Sequence, residues 1–306
     1  MNGETGFTFL VVIWALSVVI VLSLVFAAST STQFKIARNA IDNARAEALA
    51  DAGVQLAVLD LLAVRAKTLP QPRFPRDGRL TRCSPGGGDQ LGITVEDEVG
   101  KVDLNTADER LIRAALIASG VVEDDAAVFA ARIADYRDPD GDRRRSGAEI
   151  EEYRAQDRPA GPKNRPFDTI EEVEQVLGVP AGLAEALRPY ATIYSGQPAI
   201  DGNLASRRLI AALSSDRMES EFENLPSTGL AQSRAGSASM LAFGVGGRAF
   251  RVLSEARLTQ GAVFVREAIL EFVPGQPNGY IFRRWRRGTA VDADRRRSPG
   301  DDVPPC

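Results

Sequence analysis

The stretch Phe7-Thr-Phe-Leu-Val-Val-Ile-Trp-Ala-Leu-Ser-Val-Val-Ile-Val-Leu-Ser-Leu-Val-Phe-Ala-Ala28 decides how the rest of the chain is arranged. It carries no ionisable side chain, and neither does anything else between Glu4 and Lys35. At about 1.5 Å per residue, a helix of this length crosses a hydrocarbon layer about 30 Å thick. A secretory signal peptide is a poor match: the six residues before Phe7 hold no Lys or Arg, and the apolar run is long for such a peptide.

The helical pattern continues beyond the apolar run. From Gln33 to Arg65 there is no proline and one glycine, Gly53. Ala37, Ala40, Ile41, Ala44, Ala48, Val54, Val58, Leu61 and Leu62 recur at spacings of three and four, with charges between them. Leu69-Pro70 ends the pattern, because proline cannot continue a helix. The spacing predicts one helix over 7–66, lipid-soluble over 7–28 and amphipathic in its last third. Lys35 and Arg38 would by charge alone keep the C-terminal side in the cytoplasm.

Composition narrows the chemistry. The 306 residues are 44% apolar, enough for one or two cores, and the net charge of −4 does not suit a general nucleic-acid binder. There is no histidine, which removes the commonest general base and excludes Ser-His-Asp and Cys-His catalysis. Cys83 and Cys306 are the two cysteines; an oxidising compartment allows a disulfide between them, and two free thiols fit the sequence as well.

Downstream, Pro70 to Gly88 reads as a polar loop, and Gly92 to Val99 alternates as a strand ending near Asp103. Thr106 with Glu109 has capping-box spacing and opens a helix over Leu111–Ser119. Further helices are expected over Asp124–Arg137, Thr169–Val176 and Ala181–Leu187. Asn105-Thr-Ala-Asp-Glu-Arg-Leu-Ile-Arg-Ala is echoed by Asn203-Leu-Ala-Ser-Arg-Arg-Leu-Ile-Ala-Ala, which suggests one capping role for Asn105 and Asn203. Pro226 to Gly247 reads as a mobile connection. Strands follow over Phe250–Thr259, Ala262–Val273 and Tyr280–Arg286, the first two joined at Gln260-Gly261. Residues 289–306 read as a disordered tail. Arg283, Arg284, Arg286 and Arg287 around Trp285 read as edge-strand charges that block aggregation, with Phe282 and Trp285 on opposite sides or at a bend.

Gly6-Phe7, followed by a long apolar helix that turns amphipathic, resembles the type IV pilin and pseudopilin class. The layout of helix, strand, helical insert and antiparallel strands resembles one member, the minor pseudopilin K of type II secretion systems. Asp135-Tyr-Arg-Asp-Pro-Asp-Gly-Asp, Gly147-Ala-Glu, Tyr153, Asn164-Arg-Pro-Phe and Leu187-Arg-Pro-Tyr add to that resemblance. It implies an α+β fold: a long N-terminal transmembrane and amphipathic helix, and a pilin-like α/β body with an antiparallel sheet, split by a large helical insert. The divisions are a leader over 1–6, the helix over 7–66, the first part of the body over 67–103, the insert over 104–232, the C-terminal strands over 233–288 and the tail over 289–306.

The same resemblance implies cleavage by a prepilin peptidase between Gly6 and Phe7, methylation of Phe7, and assembly through Phe7 and Val11. Val11 stands where the class usually has a glutamate, whose loss goes with a position at the filament tip. The expected function is therefore non-enzymatic: a subunit capping the pseudopilus tip and helping to initiate its assembly for export of folded proteins. Expected partners are the I-type and J-type minor pseudopilins, the major pseudopilin, the inner-membrane assembly platform and the prepilin peptidase. The expected place is the inner membrane, single-pass, with the C-terminal domain in the periplasm.

Counting Asp138 as position one, Asp138, Asp140, Asp142 and Glu149 fall at positions one, three, five and twelve, the spacing of a calcium loop. Arg143 holds position six, where an EF-hand needs glycine, so the loop is not an EF-hand. An acidic loop neutralised by Arg143, Arg144 and Arg145 is the plain alternative. The family resemblance favours calcium, with Glu152 and Asp135 as further ligands.

A rival function is a membrane-anchored DNA receptor. Val102-Asp-Leu-Asn-Thr-Ala and Phe167 to Val179 look like helix-hairpin-helix modules, which bind phosphates through amides at helix N-termini. Against it, Lys101 to Gln197 holds 13 basic and 19 acidic residues, the wrong balance for phosphate, and Pro180 removes an amide from the second hairpin.

Overall fold

The computed structural model describes residues 4–214, 241–242, 247–289 and 304–306. The first helix, α1 (Glu4–Arg65), is uninterrupted and about 90 Å long at 1.5 Å per residue. Its window Phe9–Phe26 is apolar enough to cross a membrane, and none of it is buried against the rest of the chain. Phe7, Trp14 and Phe26 stand fully out; such a surface belongs in lipid or against other helices. The helix ends where Thr68 and Leu69 N–H groups fold back onto Ala63 O, just before Pro70.

After the helix come β1 (Thr81–Gly86), β2 (Asp89–Asp97) and a 3-10 turn over Glu98–Gly100. The helical part holds β3 (Val102–Asp103), α2 (Glu109–Ser119), α3 (Glu123–Arg137), α4 (Ile150–Arg154), a 3-10 turn over Ile170–Gln175, α5 (Leu183–Leu187), β4 (Ala191–Thr192), β5 (Ile200–Asp201) and α6 (207–214). Then follow β6 (Leu241–Ala242), β7 (Ala249–Arg257), β8 (Val263–Phe272) and β9 (Tyr280–Arg287). The α+β class expected from the sequence is the class observed.

The main sheet runs β1-β2-β7-β8-β9, antiparallel throughout. Alternation places Ile93, Val95, Val252, Ala268 and Leu270 on one face, where they pack with Val54, Ala57, Val58 and Leu61 of α1. Small residues bring helix and sheet close together: Ala46, Ala50 and Gly53 all lie in the contact. Arg266 of β8 bridges to Asp51 at 2.6 Å and Glu47 at 2.5 Å, and Asp60 accepts the N–H groups of Arg73 and Phe74, tying the following loop to α1.

The buried stripe of α1 therefore starts at Ala46 rather than at Ala37. Ile41, Ala44 and Ala48 are exposed, because the sheet reaches only as far as the last third of the helix. The strand read as running from Gly92 toward Asp103 stops at Asp97; the Asp97 side chain accepts Val99 N–H and turns the chain into the 3-10 segment.

Two expectations for the C-terminal part are corrected. Cys83 and Cys306 form a disulfide. Pro304 to Cys306 lie along β1, with Ser84 N–H donating to Pro304 O and Cys306 N–H donating to Ser84 O, so the end of the expected disordered tail is held in place. In β9 the bend alternative holds: a bulge at Arg283 puts Phe282 opposite Leu270 and Trp285 opposite Ala268, on one face, with their rings 4.8 Å apart. The connection read over Pro226 to Gly247 lies almost wholly outside the described residues, as do most of the tail and the first half of the leader.

Candidate functional site

The helical part is attached by a two-strand stem. β3 and β4 pair in parallel, Val102 with Ala191 and Asp103 with Thr192, so the entry and exit of the α2–α5 unit lie side by side. Asp103 is buried and organises this crossing: it accepts Asn105 N–H at 2.8 Å, Gly196 N–H at 2.7 Å and Ser195 Oγ–H at 3.1 Å. Burial pushes its carboxyl above the usual range, and those three hydrogen bonds pull it back.

The echo between Asn105 and Asn203 is real in the backbone but was assigned to the wrong side chains. Asp103 caps the turn before α2, and Asp201 does the same before α6 by accepting Asn203 N–H at 2.9 Å. The helices themselves are capped five residues later: Asp108 accepts Leu111 N–H and Ser206 accepts Leu209 N–H. The expected Thr106–Glu109 capping box is therefore absent; Thr106 Oγ1 donates to Gln197 O instead. The two asparagines differ as well. Asn203 is exposed, while the Asn105 amide makes a double bond to the Phe167 backbone, donating to its O at 3.0 Å and accepting its N–H at 2.7 Å.

That pair joins the stem to the Asn164-Arg-Pro-Phe segment. Phe167 stacks on Tyr136 of α3 at 5.1 Å, and Asn164 N–H donates to Tyr136 O. Arg188 of the Leu187-Arg-Pro-Tyr segment bridges to Glu171, which Arg284 of β9 also meets at 3.2 Å. The scattered segments of the sequence thus lie in one packed unit docked beside the sheet edge.

The acidic loop lies between α3 and α4. Asp135 is wholly buried on α3, and Asp138 caps that helix. Glu149 caps α4 and is buried, with Glu152 Oε2 accepting its N–H. Asp140 accepts Asp142 N–H at 3.0 Å, and both are exposed. Arg144 stands among them: its Nη1 lies 2.6 Å from Asp135 Oδ1 and 2.5 Å from Asp138 Oδ2. Two buried carboxylate oxygens, Asp138 Oδ1 and Glu149 Oε1, have no hydrogen-bond partner. Burial first, and then the charges of Asp135, Asp138, Asp140 and Glu152, push the Glu149 carboxyl up to about 7.

As a test of the calcium expectation this is divided. The donor set is all oxygen, and the two orphaned oxygens call for a cation. Yet among the described residues no three ligand side chains stand where they could hold one ion as placed, because Arg144 separates Asp135 from Asp138.

The hairpins do not offer phosphate sites. Glu174 Oε1 already accepts Gly182 N–H at 2.9 Å and Ala184 N–H at 3.3 Å at the start of α5. The first turn of α3 carries Glu123, Asp124 and Asp125, which repel an anion.

These features define a class: an α+β protein with one membrane-length apolar helix, an antiparallel sheet resting on that helix, and a helical unit set on a short parallel stem. Residues 95–196, about a third of the chain, match the family model described as type II secretion system (T2SS), protein K, so that segment belongs to the protein K family. A chain of the crystal structure of the GspK-GspI-GspJ complex from the enterotoxigenic Escherichia coli Type 2 Secretion System is similar over 85% of this chain and 99% of its own, at 18% identity and a TM-score of 0.47. No protein of curated function matches the sequence.

Proposed function

We propose that the chain is a non-enzymatic minor pseudopilin of a type II secretion system that caps the periplasmic tip of the pseudopilus and helps start its assembly. The observation that carries this reading is a protein K segment on a chain whose N-terminal helix is apolar, membrane-length and unburied over Phe9–Phe26. In this reading Gly6 and Phe7 form the processing site, and Phe7, Val11 and the exposed face of α1 pack against the helices of the I-type and J-type minor pseudopilins, with the major pseudopilin below. The exposure of Ile36 and Ile41 beyond the membrane span supports helix packing outside the bilayer as well. The Cys83–Cys306 disulfide supports a C-terminal domain in an oxidising compartment, as the periplasm is.

The proposal includes calcium at the loop of Asp135, Asp138, Asp140, Asp142, Glu149 and Glu152, where it would stiffen the insert rather than catalyse. Its support is the pair of orphaned buried oxygens on Asp138 and Glu149.

The experiment is co-expression with a prepilin peptidase and mass measurement of the product. The expected mature chain begins at Phe7, and Gly6→Ala abolishes the cut; an unchanged mass for the wild type removes the pseudopilin reading.

A further inference from the structure

The loop between α3 and α4 carries its own cation. Arg144 folds back so that its guanidinium touches Asp135 Oδ1 and Asp138 Oδ2, and its backbone N–H donates to Asp135 Oδ2 at 3.3 Å. Asp135 has no room to move away on the far side: a β-carbon at Gly147 would lie 1.8 Å from Asp135 Oδ2. Asp135 is thus pinned between Gly147 and Arg144, while the Arg144 side chain remains 38% exposed.

A guanidinium is a planar fork on a long stem, and it satisfies only the oxygens in front of it. Here it serves Asp135 and one oxygen of Asp138. The other Asp138 oxygen and Glu149 Oε1 stay buried and unpartnered, and Glu149 is only 6% exposed. A hard divalent cation gathers six to eight oxygens from all round. The carboxylates are therefore partly satisfied by a cation of the wrong shape, in the place where one of the right shape would sit.

We propose that Arg144 is a tethered counter-cation: it holds Asp135 and Asp138 in the metal-free loop and competes with a divalent cation for them, so that loading requires Arg144 to swing into solvent. This rests on the calcium reading of the loop given above. The competition keeps the insert folded without metal and weakens metal affinity, because each ion bound must break two charge-assisted hydrogen bonds.

Calcium chloride titration of the full chain in detergent micelles, followed by calorimetry, tests it on the wild type, Arg144→Gln and Arg145→Gln. Arg145 is exposed, so its substitution removes the same charge without the Asp135 and Asp138 contacts. Arg144→Gln is expected to bind calcium at least about tenfold more tightly than wild type, the weight of one or two hydrogen bonds to charged groups, while Arg145→Gln stays within about threefold, a screened surface charge. In chelator, Arg144→Gln is expected to melt below wild type, and calcium to restore it. Equal shifts in both variants, or none in Arg144→Gln, overturn the competition while leaving the calcium reading intact. No binding by any of the three proteins overturns the calcium reading, and the competition with it.

Discussion

Gly53 of α1 and Ser254 of β7 stand so close that a β-carbon at residue 53 would lie 2.1 Å from Ser254 Oγ. The one glycine in the soluble half of α1 is thus a contact requirement, and helix and sheet can approach no further. Gly53→Ala should destabilise the chain by about 1–3 kcal/mol through overpacking, even though alanine is the better helix former. Ser254 Oγ is buried without a partner, so Ser254→Ala alone should be close to neutral or mildly stabilising. Gly53→Ala combined with Ser254→Gly should recover most of the loss. Thermal melts of the four proteins form a cycle; additive losses would show that the contact is not the cause.

The disulfide ties residue 306 to residue 83 across a sequence separation of 223, and Arg73 Nη2 donates to Cys306 O at 2.7 Å. Cys306→Ser should cost about 2–4 kcal/mol. Reductant should lower the melting temperature of the wild type toward that of Cys306→Ser and leave the variant unmoved. If reductant moves neither, the bond carries no stability in the folded chain.

Period-two strands were legible because one buried face imposes alternation: β7, β8 and β9 were placed to within a residue or two. The long helix was legible because Phe7 to Arg65 contains no proline. What was not legible depended on distant partners. Ala37 and Ala44 have the spacing of a buried stripe, but burial needs a sheet above them, and the sheet stops short. Thr106 and Glu109 have the spacing of a capping box, but Asp108 is nearer the helix start and Gln197 O takes the threonine hydroxyl. In the acidic loop the ligand types could be read from the spacing. The fold-back of Arg144 onto a buried Asp135 could not, since Arg143, Arg144 and Arg145 look alike in sequence.

The two asparagines of the echo should behave differently despite their matched positions. Asn105→Ala leaves the Phe167 N–H and C=O without their partner and should cost about 2 kcal/mol. Asn203 is exposed, so Asn203→Ala should fall within about 0.5 kcal/mol of wild type. Denaturant midpoints at unchanged slope measure both. Equal losses would mean that the echo carries a shared side-chain role after all.

Asp97 gives the chain a pH dependence at the junction of sheet and insert. It is buried where β2 turns, so close to Gly247 that a β-carbon there would lie 1.9 Å from its Oδ1. Burial above all, with help from Glu98 and Asp201, pushes its carboxyl up to about 7, against the opposing pull of Val99 N–H and Arg76. Because this folded value lies above the ordinary carboxylate value of 3.8, the folded chain holds the proton over a range in which the unfolded chain has lost it. Stability from this residue is thus greatest at low pH, falls by up to about 1.4 kcal/mol per unit as pH rises through that window, and levels off above about 7. Asp97→Asn keeps an acceptor for Val99 N–H but has no charge to bury. Its melting temperature should gain on wild type by several degrees between pH 5 and pH 8, measured on the full chain in chelator so that the acidic loop contributes equally to both. Parallel profiles over that range would mean that Asp97 ionises freely in the folded chain and that the junction does not sense pH.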